Sequence, residues 1–236
     1  MIGIIGAMEE EVLALKEAME EVQIERYASL DFHRGKLSGK DVVVVKSGIG
    51  KVNAAICAQL LIDKFGVDRL INTGIAGSLD EKINIGDVVI STDALHHDMD
   101  ATLFGDPPGQ VPRMDTLSFP ADAKMRLLAK EINEVVNYDI KTYMGRIASG
   151  DQFVSDGEIK QRIVKSFAPL CVEMEGAAIA QVAYLNQIPY IIIRAISDKA
   201  NSSAKVDYPK FEKAAIKRSV RLVPELIRQL DYKNRI

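Results

Sequence analysis

The sequence predicts an α/β fold of three layers, a central mixed β-sheet flanked by helices on both faces. Short apolar, β-branched runs recur along the chain, with glycines just after them. Segments with apolar residues at helical spacing lie between several of these runs, the alternation expected of a mostly parallel or mixed sheet. No linker, repeat or low-complexity tract interrupts the pattern, so a single domain over residues 1–236 is expected.

Taken in order, strands are expected at Ile2–Ile5, Val42–Val45, Arg69–Asn72, Asp87–Ile90, Thr142–Ala148 and Tyr190–Ala195. Glu9–Val22 reads as an amphipathic helix, with Met8, Val12, Leu15 and Met19 on one side. Ile24–Val45 reads as an antiparallel hairpin element, with Gly35 and Ser38-Gly39-Lys40 as turn signals. Further helices are expected at Val52–Phe65, Ala121–Val136, Gly157–Phe167, Glu173–Asn186 and Lys210–Leu230. Leu95–Pro120 departs from the pattern. It holds His96, His97, Asp98, Asp100, Phe104 and three prolines in its middle, and a loop of this length is usually functional or packed against a partner.

Composition narrows the function. Hydrophobic residues make up 47% and charged residues 27%, ordinary for a globular protein. The net charge of −3 and the lack of a basic face argue against nucleic acid. Cys57 and Cys171 lie far apart in apolar contexts and read as small core residues in a reducing compartment. Met1 leads straight into a strand, without the basic segment of a signal peptide. No apolar run approaches the roughly 18 residues of a membrane helix. A cytoplasmic, soluble protein is expected. His96 and His97 sit beside acidic residues, but neighbours on a strand point to opposite faces, so no shared metal is expected. No cofactor is expected either.

Four stretches follow strands and converge on one sheet edge, where open α/β folds bind ligands: Gly6–Glu11, Thr73–Gly77, Ser149–Val154 and Arg194–Asp198. The first opens a helix on Glu9, Glu10 and Glu11, where glycine-rich junctions usually cradle phosphate. Successive helical residues point about 100° apart, so one carboxylate faces the cleft as a base and the others are solvated. Asp198, with Ser197 beside it and an apolar wall behind, reads either as a proton donor of raised pKa or as a helix cap or loop aspartate. In Val172-Glu-Met-Glu-Gly176, the glutamates read either as ligands for vicinal sugar hydroxyls or as first-turn residues favoured by the helix dipole. If both lie on the helix, they face different surroundings, about 200° apart. Phe153 reads either as a stacking platform, with the Val154 backbone reading a ligand's edge, or as a core ring.

Together these stretches resemble the methylthioadenosine/S-adenosylhomocysteine nucleosidase family of the nucleoside phosphorylase superfold. The matching pieces are Ile2-Gly-Ile-Ile-Gly-Ala-Met-Glu-Glu-Glu-Val12, Lys46-Ser-Gly-Ile-Gly-Lys-Val52, Asn72-Thr-Gly-Ile-Ala-Gly77, Ser149-Gly-Asp151, Val172-Glu-Met-Glu175 and Arg194-Ala-Ile-Ser-Asp198. They run in family order and cover nearly the whole chain. The resemblance implies hydrolysis of the N-glycosidic bond of methylthioadenosine and S-adenosylhomocysteine, with 5′-deoxyadenosine as a further substrate, in methionine salvage. Asp198 would protonate adenine N7 and Glu11 would activate water, the logic of an inverting hydrolase. Glu175 would hold the ribose hydroxyls and Met174 would line the sugar. Phe153 would stack on adenine, and Gly77 would let the chain approach the ligand. Arg194 and Ser197 would position the acid and the sugar end. Met8, Ile49 and Tyr208 would line the near side of an alkylthio pocket. Ala101, Phe104 and Pro112, from the Leu95–Pro120 loop of a second copy in a homodimer, would complete it. Ile75 stands where relatives often carry a small hydroxyl residue, and Tyr208 where phenylalanine is common.

A phosphorylase needs arginines near the anomeric carbon, whereas carboxylates occupy Met8–Glu11 and Thr73–Ser78 has no basic residue. A futalosine-type nucleosidase differs only at the level of substrate. A non-catalytic nucleoside-binding protein would lack one of the two proton-transfer groups. A dinucleotide oxidoreductase fails on glycine spacing and on the acidic phosphate position.

Overall fold

The computed structural model describes residues 1–230, so the last six positions of the expected domain lie outside the described residues. The chain runs β1 (Ile2–Gly6), α1 (Glu9–Glu17), β2 (Glu20–Tyr27), β3 (Leu30–Leu37), β4 (Lys40–Lys46), α2 (Lys51–Phe65), β5 (Arg69–Ser78), β6 (Val88–His96), β7 (Phe119–Pro120), α3 (Ala123–Val136), β8 (Thr142–Ser149), α4 (Gly157–Phe167), β9 (Cys171–Glu173), α5 (Gly176–Leu185), β10 (Tyr190–Asp198) and α6 (Ala204–Gln229). Among the described residues these strands form one mixed sheet.

The valines of β4 show why the strands read as unbroken apolar runs. Val43 and Val45 belong to the core shared with α2 and α5, and Val42 and Val44 to the core shared with α1, α3 and α6. A strand buried on both faces has no polar side to alternate with. Each such side chain stabilises the fold by about 1.5–3 kcal/mol relative to leaving it in water. The same division runs along β10, where Ile192 and Ile196 face one core and Ile191 and Ile193 the other. Cys57 and Cys171 are free thiols in the first of these cores, as expected.

The pairing around β5 opens the site. Residues 70–72 of β5 lie between β1 and β10, so those two strands take opposite edges. Gly77 lies between β10 and β9. β1 and β9 therefore share one edge of β5, β1 ending at Asn72 and β9 starting at Gly77. The gap between them is backbone without a strand partner on that side.

Several boundaries differ from expectation. α1 stops at Glu17, because residues 20–27 pair with β3 as a strand. Met19 still reaches the core, while Val22 is left 41% exposed. Gly35 is not a turn but lies within β3, where a Cβ would come within 2.6 Å of the Glu20 carbonyl oxygen. The β2–β3 turn is made by Ala28 and Ser29, both left-handed at φ 48° and 63°, as a two-residue hairpin of the primed type requires. Thr73–Gly77 is strand rather than loop, and β10 runs on past Ala195 to Asp198, since these two segments pair in parallel. α5 starts at Gly176, which leaves Glu173 in β9 and Glu175 at the helix cap. α6 begins at Ala204, not Lys210, and continues through Pro209. A proline inside a helix removes one backbone bond, and here the packed face of α6 outweighs that loss.

Candidate active site

Glu11 fills the gap in the β5 edge. Its Oε1 accepts from the Ile75 amide at 3.1 Å, and its Oε2 accepts from the Ala7 and Met8 amides at 2.7 and 3.0 Å. The side chain is 5% exposed. Burial pushes its carboxyl above the usual range, although Arg194 and the three amides pull the other way. Of its neighbours, Glu10 is exposed and Glu9 is paired with Lys16 at 2.8 Å and Lys46 at 3.6 Å. One carboxylate of the three faces the cleft, as the helical angle requires.

Asp198 ends β10 and is 2% exposed. Its Oδ1 accepts from the Ala200 amide at 2.8 Å, and its Oδ2 from the Ser197 hydroxyl at 2.9 Å. Burial raises its pKa against both bonds. A Cβ on Gly77 would come within 2.8 Å of Oδ1, so only glycine leaves the carboxyl room. The bond to Ala200 is a local loop contact, and it leaves the buried carboxyl with its raised pKa.

Glu173 and Glu175 differ in surroundings, though not through helical angle. Glu173 accepts from the Ser149 hydroxyl and from the amides of Glu175 and Gly176, and it pairs with Arg194. It thus closes the N-terminus of α5, the helix-end role considered for these glutamates. Glu175 turns the other way and accepts from the Gly50 amide at 2.8 Å. Burial and the charge of Glu173 both push the Glu175 carboxyl up. Arg194 lies under this cluster. Its Nη2 donates to Asn72 Oδ1 at 2.6 Å and to Glu173, and sits 4.0 Å from Glu175.

These groups converge on one cleft of about 460 Å³, the space open to solvent at its mouth included. Its wall contains Glu11, Gly77, Met174, Glu175, Ser197 and Asp198, with Met8, Ile49, Phe153 and Tyr208 toward the mouth. Phe153 is 48% exposed and meets Tyr208 edge-on at 5.7 Å between ring centroids, so it is not a core ring. The Tyr208 hydroxyl lies 3.3 Å from Met8 Sδ and 3.1 Å from Glu212. Val154 packs its side chain into the small core with Leu95 and Ile163 and does not line this cleft. Ala101, Phe104 and Pro112 do not line this cleft. Ala7, Ala76 and Val172 also line it, and the sequence analysis gave them no role of their own. Each lies inside a quoted motif, but apolar side chains carry no chemical signal of their own. The histidines point apart, with His96 bonded to Gln181 at 2.9 Å and His97 pressed on Gly150.

Residues 1–228 match the family model of the phosphorylase superfamily. A 5′-methylthioadenosine/S-adenosylhomocysteine nucleosidase of Staphylococcus haemolyticus is 44% identical over 231 residues, 98% of this chain and 100% of the relative. That of Staphylococcus aureus strain MRSA252 is 46% identical over 233 residues, with the same coverage. Among solved structures, the nucleosidase from Neisseria meningitidis in complex with methylthio-immucillin-A superposes at TM-score 0.93. It is 40% identical, and the match covers 97% of this chain and 99% of that one. The futalosine hydrolase of Helicobacter pylori superposes at 0.91 with 32% identity, covering 97% of each chain.

Proposed function

This chain belongs to the phosphorylase superfamily and, within it, to the 5′-methylthioadenosine/S-adenosylhomocysteine nucleosidases, and on that premise we propose that it hydrolyses the N-glycosidic bond of both nucleosides. The products are adenine and the thio-substituted ribose. One observation carries the reading: Glu11 and Asp198 are buried in a single cleft whose wall has no lysine or arginine. Phosphate would meet carboxylates there, and Arg194 behind the wall is engaged by Glu173 and Asn72. Water activated by a carboxylate suits the same surroundings.

In this mechanism Asp198 carries its proton into the reaction and delivers it to adenine N7, so the base leaves neutral. Glu11, ionised, takes a proton from the water that attacks the anomeric carbon. Both groups are referenced to β5, Glu11 through the Ile75 amide and Asp198 beside Gly77. Glu175 accepts the ribose hydroxyls, Met174 packs on the sugar, and Phe153 stacks on adenine beside the Val154 main chain. Ser197 steadies the acid, and Arg194 steadies the sugar end through Glu173. Met8, Ile49 and Tyr208 hold the alkylthio group, with Ala101, Phe104 and Pro112 of a second copy closing the pocket in a homodimer. A cytoplasmic role in methionine salvage accompanies this reading. Among the described residues no helix is long and apolar enough to cross a membrane.

The likeness to a futalosine hydrolase makes substrate the point to test. Incubation with methylthioadenosine, S-adenosylhomocysteine and futalosine in parallel is expected to release adenine from the first two at the higher kcat/KM. Preferential cleavage of futalosine would replace the substrate assignment, and no cleavage of any of them would end it.

A further inference from the structure

Beside the acid, the ladder between β5 and β10 slips. Ile196 aligns with Ala76, but the next aligned pair is Asp198 with Gly77, which leaves Ser197 over. A bulge of this kind bends the strand, ends regular pairing and re-aims the neighbouring side chain. Past it, the carbonyls of Ser78 and Lys199 are both taken by one ammonium. Lys160, on α4, donates from Nζ to Ser78 O at 3.1 Å and to Lys199 O at 2.7 Å. We propose that Lys160 is a positioning residue for the acid: it ties the two strand ends together and so holds Asp198 at its place over Gly77.

The clamp is built on a rigid support. α4 seats Ile163 and Phe167 in the same small core as Leu79 and Ala200, the residues just past each strand end. The Lys199 ammonium turns away, to the carbonyls of Glu81 and Ile83, and does not compete for the position. The carboxyl it would hold has little slack, fixed by Ser197 and Ala200 and crowded against Gly77. Displacing such a group by about 1 Å costs on the order of 100-fold in rate.

Resting on the nucleosidase reading above, the clamp is separated from a general structural role by the leaving group. Adenine leaves readily only when protonated, whereas 4-nitrophenolate needs no proton from the enzyme. A residue that acts through Asp198 therefore matters for the first and not for the second. Lys160→Met is expected to lower kcat for methylthioadenosine about 10-fold or more, with KM within about threefold. Cleavage of 4-nitrophenyl 5-methylthioriboside by the same variant should stay within about twofold of wild type. Equal losses on both substrates, or no loss on methylthioadenosine, would overturn the proposal. Lys160→Gln is read in the same way should the methionine variant fail to fold. A wild-type protein that cleaves neither substrate would instead remove the nucleosidase reading, and the clamp with it.

Discussion

Glu11, Glu175 and Asp198 are each buried and each pushed above the ordinary carboxyl range, and the consequences have definite signs. Glu11 works ionised, so turnover falls as pH drops through its raised value. Asp198 works protonated, so turnover falls as pH rises through its own. Both limbs of the kcat/KM profile should therefore lie at higher pH than for free carboxyls, and limbs in the ordinary range would contradict the assignment. Glu11→Gln and Asp198→Asn should each lose about 100- to 10,000-fold in kcat, with binding of a non-hydrolysable analogue still measurable by calorimetry. Near-normal turnover in either variant would remove its role. Asp198→Asn should also melt higher than wild type at neutral pH. A group with a raised folded pKa costs stability as pH climbs through that value, and the amide escapes this cost. It keeps the bond from Ala200, and Ser197 turns its hydroxyl to the Ala76 carbonyl, already 3.3 Å away. The difference should vanish in acid, and equal melting at every pH would contradict the burial argument.

At the scale of elements, the site depends on how strand ends are spaced. Gly77→Ala places a methyl 2.8 Å from Asp198 Oδ1 and 3.0 Å from the Ala200 Cβ. Turnover should fall on the order of 100-fold with circular dichroism unchanged, and full activity would show that the strand ends yield. Glu173→Ala removes the carboxylate closest to the buried Arg194, leaving Glu175 at 4.0 Å, and should cost about 3–5 kcal/mol in urea unfolding. A loss below 1 kcal/mol, roughly the worth of an exposed pair, would mean that water reaches the guanidinium. The strands were legible because consecutive apolar residues such as Val42–Val45 signal burial on both faces. The cleft motifs were legible because polar groups follow those runs. Three boundaries were hidden for particular reasons. Residues 18–22 keep a helical pattern that pairing with β3 overrides, Ala28-Ser29 makes a left-handed turn without glycine, and Pro209 looks like a helix start but lies inside α6. The Arg194–Glu173 pair joins residues 21 apart in sequence across two strands, and no local pattern marks it.

At the scale of the whole molecule, the irregular segment 97–118 leaves Phe104 85% exposed, away from its own cleft. Ile49 and Val52 are exposed where α2 begins near the cleft mouth. In the proposed homodimer such a loop reaches the other copy's alkylthio pocket. Phe104→Ala should then raise KM for methylthioadenosine several-fold with little change in kcat, since it removes ground-state contact rather than a proton. A fully active monomer at assay dilution, shown by light scattering, would contradict this picture. In the proposed mechanism a carboxylate directs water, not phosphate, at the anomeric carbon. The most direct test is to incubate the protein with methylthioadenosine, with and without phosphate, and identify both products. Adenine and free methylthioribose, at a rate indifferent to phosphate, are expected. A sugar 1-phosphate formed only when phosphate is present would make the enzyme a phosphorylase and end the base role of Glu11.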